Sequence, residues 1–106
     1  MPLEFMEWES FTKSITRLLS DDEYSNMQAF LNEHPTAGNL IPNGGGLRKL
    51  RWRSAWRGKR GGIRVIYYCW SNQQLYMRFA YQKSRQSDLT RDQLKLLAAY
   101  VQEGVL

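Results

Sequence analysis

The spacing of the apolar residues changes near the middle of the chain, and this change limits the possible folds more than any other feature. Between Trp8 and Leu31, apolar side chains recur every three or four residues, which is the period of an α-helix. From Leu47 to Gln82 they alternate or form short apolar blocks, which is the pattern of β-strands. The sequence therefore predicts an α+β domain.

The first third of the chain is predicted to form two helices with a tight connection. The first begins at Trp8 and ends near Leu19. The run SDDE that follows matches a capping box, in which the Ser20 hydroxyl accepts from the Glu23 amide and the Glu23 carboxylate accepts from the Ser20 amide. Pro35 ends the second helix because it cannot continue the helical hydrogen bonds. We therefore expect an N-terminal helical hairpin.

The remaining elements are predicted to be strands followed by one more helix. They are a short first strand at residues 3–6, an antiparallel meander at residues 47–53, 63–70 and 75–82, and a helix that begins after the capping box TRDQ at Thr90 and ends near Gly104. A chain of 106 residues is too short for a second core. Residues 1–106 should therefore form one domain, with the hairpin packed on a small antiparallel β-sheet and followed by a C-terminal helix.

The alternation in LRKLRWR, residues 47–53, separates apolar from basic side chains. Leu50 and Trp52 fall on one face of the predicted strand, while Lys49, Arg51 and Arg53 form a row on the other. An apolar face needs cover, so we expect the helices on the side of Leu50. The basic row then lies on the opposite face of the sheet.

The charge distribution indicates that this basic face binds an anion. The net charge is +5 with a sequence pI near 9.6, and none of the ten acidic residues lies between His34 and Ser87. Eleven of the fifteen basic residues lie in that span: Arg48, Lys49, Arg51, Arg53, Arg57, Lys59, Arg60, Arg64, Arg78, Lys83 and Arg85. Such a segment repels itself unless an anionic partner lies close to it. A solvated basic surface without a partner is the alternative.

Residue types common in catalytic and metal sites are scarce. His34, the only histidine, precedes Pro35 at a helix end, where a contact with the helix dipole is the simpler role. Cys69, the only cysteine, excludes an internal disulfide and is expected in the core. The sequence has no cluster of histidine and cysteine, and the helix start explains Asp21 and Asp22, so we expect no metal ion and no cofactor.

Two features of the sequence bear on the location of the protein. The sequence has no run of 18 apolar residues, and its first residues, MPLEFMEWES, are acidic where a signal peptide is basic. We therefore expect a soluble, cytoplasmic protein with no membrane partner.

Most aromatic residues of the strands are expected to pack in the core, but Trp56 lies inside the basic loop SAWRGKRGG and is placed to stack on an RNA base.

Three motifs in a fixed order resemble one protein family. The run GGGLRKLRWRSAWRGKRGGIRVIYYCW contains the patterns G-G-x-R-K-x-R and G-K-R-G-G-x-R-x-I-Y-Y, and LYMRFAYQKSRQSDLTRDQLKLL contains Y-x-K-x-x-x-S-D-L-T. Together they resemble the RelE/ParE superfamily of toxins, and most closely its HigB branch. The resemblance covers residues 44–98, while the N-terminal hairpin agrees by topology only. It implies a RelE-like fold.

The resemblance implies a toxin of a type II toxin–antitoxin system. Such toxins are ribosome-dependent mRNA endoribonucleases, also called mRNA interferases, which bind mRNA and ribosomal RNA in the ribosomal A site, cleave the mRNA and inhibit translation. A cognate antitoxin, HigA-like with a helix-turn-helix, is the implied protein partner. The catalytic positions of the family fall on Lys49, Arg51, Arg64, Lys83 and Tyr81. RNA or ribosome contacts are expected from Arg48, Arg53, Arg57, Lys59, Arg60, Arg85 and Trp56.

The implied chemistry suits basic residues. Attack by the adjacent ribose 2′-OH requires its deprotonation, stabilisation of an anionic phosphorane and protonation of the leaving 5′-oxygen. A group of cations lowers the pKa of a lysine among them, and a guanidinium holds two phosphate oxygens at once. We expect Arg64 to bind the transition-state phosphate, and Lys49 or Lys83 to transfer protons. Some relatives carry a tyrosine or histidine near the last helix, but SDLTRDQL offers neither, so the general acid stays open.

A second class of function fits the same resemblance. ParE-like members keep the fold but inhibit DNA gyrase by binding, and a noncatalytic RNA-binding protein would keep the basic sheet without the proton-transfer group. Fold resemblance alone does not separate these outcomes. The basic row favours RNA, since cationic side chains bind phosphates.

Overall fold

The computed structural model describes residues 3–54, 62–71 and 73–104, and these ranges contain one five-stranded sheet and three helices. The elements in chain order are β1 (Glu4–Glu7), α1 (Glu9–Leu18), α2 (Asp21–Glu33), β2 (Asn39–Leu40), β3 (Leu47–Trp52), β4 (Ile63–Cys69), β5 (Gln74–Gln82) and α3 (Arg91–Gln102). The predicted α+β class is confirmed. Among the described residues, no helix combines the length and the apolar character needed to cross a bilayer.

The strand order β1-β5-β4-β3-β2 places β4 at the centre of the sheet. The meander of β3, β4 and β5 is antiparallel as predicted. The expectation of a wholly antiparallel sheet was wrong, because β1 pairs with β5 in parallel and Glu4 lies opposite Gln74. No short turn joins these two strands, so no hairpin geometry fixes their relative direction. The two-residue β2, which pairs antiparallel with β3, was not predicted because it lies in a turn-rich connection.

The helical hairpin covers one face of the sheet, as expected. Phe11 and Ile15 of α1 and Met27 and Leu31 of α2 are buried in one cluster with Leu50 of β3. The same cluster takes alternate side chains of the two longer strands, since successive residues of a strand point to opposite faces. This layer is the main core of the protein.

The cap of α2 only partly follows the predicted capping box. The Ser20 hydroxyl accepts from the Glu23 amide at 3.1 Å, as expected. The Glu23 carboxylate, however, accepts from the hydroxyls of Ser20 at 3.4 Å and Ser54 at 3.1 Å. This second contact ties the start of α2 to the end of β3. The Thr90 cap of α3 is a complete capping box, as predicted.

A helix also covers part of the opposite face of the sheet. Leu97 of α3 packs with Leu47 of β3, Ile66 of β4 and Tyr81 of β5 in a second buried cluster. The expectation that helices cover only the face of Leu50 is therefore corrected. The basic row of β3 continues from this cluster, because Leu47 shares its face with the odd-numbered residues that follow it.

A β-bulge interrupts the pairing of the two longest strands. Ile66 lies opposite Phe79, but the next residue, Tyr67, lies opposite Met77, so Arg78 is the extra residue of β5. The side chain of this bulge residue, Arg78, is buried, with 5 % of its surface exposed.

Arg78 has a structural position although it belongs to the basic span. One guanidinium nitrogen donates to the carbonyl oxygens of Met6 at 3.0 Å and Met77 at 2.9 Å, which links β1 to β5. The guanidinium carbon lies 4.5 Å from the ring centre of Trp8 and 4.9 Å from that of Tyr76. Burial lowers the pKa of Arg78 to about 10. The positive charge of Arg78 therefore makes its contacts within the fold, with backbone carbonyl oxygens and aromatic rings.

A buried tyrosine fixes the connection between α2 and β2. The Tyr67 hydroxyl donates to the Pro35 carbonyl oxygen at 2.8 Å and accepts from the Gly38 amide at 2.9 Å. A Cβ at Gly38 would lie 2.8 Å from the Tyr67 ring, so only glycine fits there. Arg48 adds hydrogen bonds to the carbonyl oxygens of Thr36 at 3.2 Å and Gly38 at 2.8 Å.

Candidate functional site

Three of the predicted catalytic residues form a row across the sheet. Arg51 of β3 lies directly opposite Arg64 of β4, and Arg64 lies directly opposite Tyr81 of β5. Residues paired in this way share a face, with Cβ atoms about 5 Å apart. Arg51 is exposed, whereas Arg64 is only 8 % exposed. The pairing thus places two arginine residues opposite each other, one exposed to solvent and one whose guanidinium donates to the Ile63 carbonyl oxygen at 3.2 Å.

A cleft of about 560 Å³ lies at this end of the sheet. Its described lining residues are Arg51, Trp52, Arg53, Ser54, Gly62, Arg64 and Lys83. Four of these carry a positive charge, and none of the described lining residues is acidic. A cleft lined by one sign of charge concentrates the electrostatic field, which favours an anion. The arrangement is therefore suited to binding phosphate groups.

Local backbone geometry brings Lys83 to this cleft. The Lys83 amide donates to the Gly62 carbonyl oxygen at 3.2 Å, just beyond the paired part of β5. Gly62 has a φ of +69°, and a Cβ there would lie 2.3 Å from the Trp52 carbonyl oxygen. Only glycine allows β4 to start this close to the end of β3. The Lys83 ammonium donates to the Ser87 carbonyl oxygen.

Lys49 lies beside this row and binds a carboxylate. Its ammonium nitrogen is 3.1 Å from Oδ1 of Asp88, and the pair is partly exposed. The same oxygen accepts from the Tyr81 hydroxyl at 3.4 Å and from the Leu89 amide at 2.8 Å. Asp88 therefore connects Lys49 of β3 with Tyr81 of β5 across the intervening strand.

These contacts shift two pKa values in opposite directions. Burial, followed by the Asp88 charge, raises the pKa of Tyr81 to about 12, and nearby Arg64 opposes this shift. The Leu89 amide, followed by Lys49, holds the pKa of the Asp88 carboxyl below its usual range. At neutral pH the Tyr81 phenol is thus a neutral hydrogen-bond donor and Asp88 is an anion.

The other predicted binding residues are distributed more widely. Arg53 lines the cleft and is exposed, but Arg48 pairs with Tyr67 on the opposite face, where it holds the connection to β2. Arg85 is exposed and lines a second groove. The predicted contacts at Trp56, Arg57, Lys59 and Arg60 lie outside the described residues.

Sequence reasoning missed the central position of Asp88. Its signal was present, because Asp88 is the first acid after the long acid-free span and stands next to Leu89 in the S-D-L-T motif. Only the tertiary structure brings it to Lys49, 39 residues earlier. A comparison with models of known protein families finds none that matches this chain.

Proposed function

We propose that the protein is a ribosome-dependent mRNA endoribonuclease, the toxin of a type II toxin–antitoxin system with a RelE-like fold of the HigB branch. The observation that carries this proposal is the placement of Arg51, Arg64 and Lys83 around one cleft without a described acidic residue in its lining. A group of positive charges at one cleft is complementary to the negatively charged phosphates of the RNA backbone. The resemblance of the ordered sequence motifs supplies the substrate, which is mRNA in the ribosomal A site of the cytoplasm.

The reaction proposed for this site is an internal transesterification. The 2′-oxygen of the ribose attacks the adjacent phosphorus and the bond to the 5′-oxygen breaks, which leaves a 2′,3′-cyclic phosphate and a 5′-hydroxyl. Arg51 and Arg64 bind the nonbridging oxygens as negative charge develops on them. Such donors contribute most when the fold holds them in place before reaction, and the strand pairing supports this role for Arg64.

Proton transfer is assigned to the residues that border the arginine row. The Tyr81 phenol, with its pKa raised to about 12, is a neutral donor suited to the leaving 5′-oxygen. Lys83, in the cleft, is the candidate to accept the proton of the 2′-hydroxyl. Asp88 positions Tyr81 and Lys49 through their shared hydrogen bonds.

The first experiment is primer extension on a translated mRNA, with and without ribosomes. Wild type should cut only in the presence of ribosomes, and Arg51→Ala and Arg64→Ala should each lower the cleavage rate by about 10²- to 10³-fold. Arg91→Ala removes an exposed arginine at the start of α3 and serves as the matched control. Thermal unfolding of each variant separates loss of chemistry from loss of folding, which matters most for the buried Arg64.

A second candidate function has support from the same contacts. Lys49 is paired with Asp88, and Lys83 binds the Ser87 carbonyl oxygen, so both lysines considered for proton transfer already have partners. A toxin that acts by binding, on RNA or on DNA gyrase, needs no free proton-transfer group. Toxic expression without ribosome-dependent cuts, with arrest of DNA replication before translation, would favour the gyrase-directed form.

The proposal includes a protein partner. A HigA-like antitoxin should form a stable complex with this chain and relieve its toxicity. Co-expression with the neighbouring reading frame tests this, and repeated failure to isolate a complex would count against the toxin assignment.

A further inference from the structure

A second groove, of about 510 Å³, lies on the other side of the end of β5 from the basic cleft. It is lined by Ser14, Arg17, Leu18, Ala80, Tyr81, Gln82, Arg85 and Gln86. None of these described lining residues is acidic, although Asp21 and Asp22 follow α1 closely in the sequence. Two guanidinium groups thus lie at a groove whose other polar groups are neutral. Its chemistry resembles that of the basic cleft.

The two walls of this groove follow directly from the fold. Ser14, Arg17 and Leu18 lie three and four residues apart in α1, so they share one helix face. Ala80 and Gln82 share one face of β5. Leu18 and Ala80 give the groove apolar surface, while the longer polar side chains border it.

One turn connects the groove with the basic cleft. The amides of Arg85 and Gln86 both donate to the Gln82 carbonyl oxygen at 3.0 Å, which forms a tight turn after β5. Lys83 lines the cleft, and Arg85 lines the groove. Residues two apart in the chain have Cα atoms at most about 7.2 Å apart, so the two sites are adjacent.

The turn is fixed from the side of α3. The side-chain nitrogen Nε2 of Gln86 donates to the Asp88 carbonyl oxygen at 2.9 Å and to Oε1 of Gln93 at 2.6 Å. Gln93 is part of the capping box of α3. These hydrogen bonds therefore hold the turn that carries Arg85 against the start of α3.

We propose that this groove is a second phosphate-binding subsite, in which Arg17 and Arg85 bind the backbone of single-stranded RNA that continues around the end of β5 from the basic cleft. The choice of RNA as the ligand rests on the proposed function, whereas the preference for an anion rests on the lining alone. Proteins that bind single strands in this way combine a cationic path with site sizes of roughly 4–16 nucleotides. Arg17 is the diagnostic residue because it lies on α1, outside the acid-free span and outside the cleft.

The test measures binding of 2′-O-methyl oligouridylates, which cannot be cleaved, by fluorescence anisotropy at several salt concentrations. A four-nucleotide probe should occupy the cleft alone, and a ten-nucleotide probe should reach the groove. Arg17→Ala should weaken binding of the ten-nucleotide probe by about three- to tenfold and reduce the slope of log K against log salt by about 0.7, which corresponds to one phosphate contact on a single strand. Binding of the four-nucleotide probe should be unchanged.

Two variants control this experiment. Arg17→Lys keeps the charge and should retain the salt slope of the wild type. Lys13→Ala removes a cation one helical turn earlier, where Lys13 pairs with Glu9 at 3.5 Å and does not line the groove. It should bind both probes as the wild type does. Both positions are exposed, so thermal unfolding should show intact folding of all three variants.

Several results would overturn the subsite. One is that Arg17→Ala binds the ten-nucleotide probe as tightly as the wild type, and another is that it weakens binding of both probes equally. A third is that Arg17→Ala loses binding to decaglutamate while its binding to RNA is unchanged, which would assign the groove to an acidic peptide. The proposed nuclease function has a separate readout. If wild type cuts no mRNA on ribosomes while the length-dependent effect of Arg17→Ala persists, the nuclease assignment fails and the subsite stands.

Discussion

Removing one oxygen atom from Tyr67 should destabilise the whole domain. The hydroxyl is the common partner of the Pro35 carbonyl oxygen at 2.8 Å and the Gly38 amide at 2.9 Å, and the Tyr67 side chain is fully buried. Burial also raises the pKa of this phenol, which keeps it a neutral donor. Tyr67→Phe preserves the ring and its packing but leaves an amide and a carbonyl without this partner.

The expected cost follows from these two hydrogen bonds. Each contributes about 1 kcal/mol net to stability, and a buried group left unpaired costs about 1–3 kcal/mol. Gly38 is buried and the Pro35 side of the connection is half-buried, so we expect Tyr67→Phe to lower the free energy of unfolding by about 2 kcal/mol. For a domain of this size, this corresponds to a fall in Tm of roughly 10 °C.

Urea denaturation followed by tryptophan fluorescence measures this change. Tyr68→Phe is the matched control, because Tyr68 is the next residue of β4, faces the opposite side of the sheet and makes no hydroxyl hydrogen bond within the described residues. It should change stability by less than about 0.5 kcal/mol. Equal, small effects of both substitutions would refute the reasoning, since they would mean that the Tyr67 hydroxyl contributes no net stability.

Two further predictions concern the cleft and its border. Gly62→Ala should cost more than about 2 kcal/mol of stability, because it adds a Cβ at 2.3 Å from the Trp52 carbonyl oxygen to the strain of a positive φ. Gly104→Ala, with a φ of +73° and open space, should cost only about 1 kcal/mol in the same urea assay, and equal costs would contradict the steric argument. The depressed pKa of Asp88 means that its contacts stabilise the fold above the unfolded carboxyl pKa of about 3.9 and lose this contribution as the pH falls through the lower folded pKa. In an NMR titration, Lys49→Met should raise the Asp88 midpoint but leave it below the usual value, because the following backbone amide is the larger cause; an unmoved midpoint would exclude the ion pair.

The sequence predicted the elements well where a local pattern determines them. The helical period located α1 and α2, the Ser20 hydroxyl capped α2, and the Thr90 capping box marked the start of α3. Alternation also assigned the two faces of β3 correctly. These features depend on neighbouring residues, so they can be read without knowledge of the tertiary structure.

Features that depend on distant contacts could not be predicted in this way. Four residues of β1 do not specify a direction or a partner, and the bulge at Arg78 appears only when β4 and β5 are paired. The same limit applied to the candidate site. The sequence resemblance named Arg51, Arg64 and Tyr81 as site residues, but it did not predict that strand pairing places them in one row. The contact of Asp88 with that row likewise depends on the path of the turn after β5.

Because β1 pairs with β5 in parallel, the sheet can be completed only late in the synthesis of the protein. Glu4 and its partner Gln74 are 70 residues apart, so β1 leaves the ribosome long before its partner strand exists. Contacts this distant in sequence close late, because the entropy of a long loop must be overcome first. Tyr81 and Lys83 follow on the same late segment. A nascent chain therefore carries its helical hairpin early but cannot assemble the cleft until nearly all of the described residues have been translated, so the cleft is completed only near the end of synthesis.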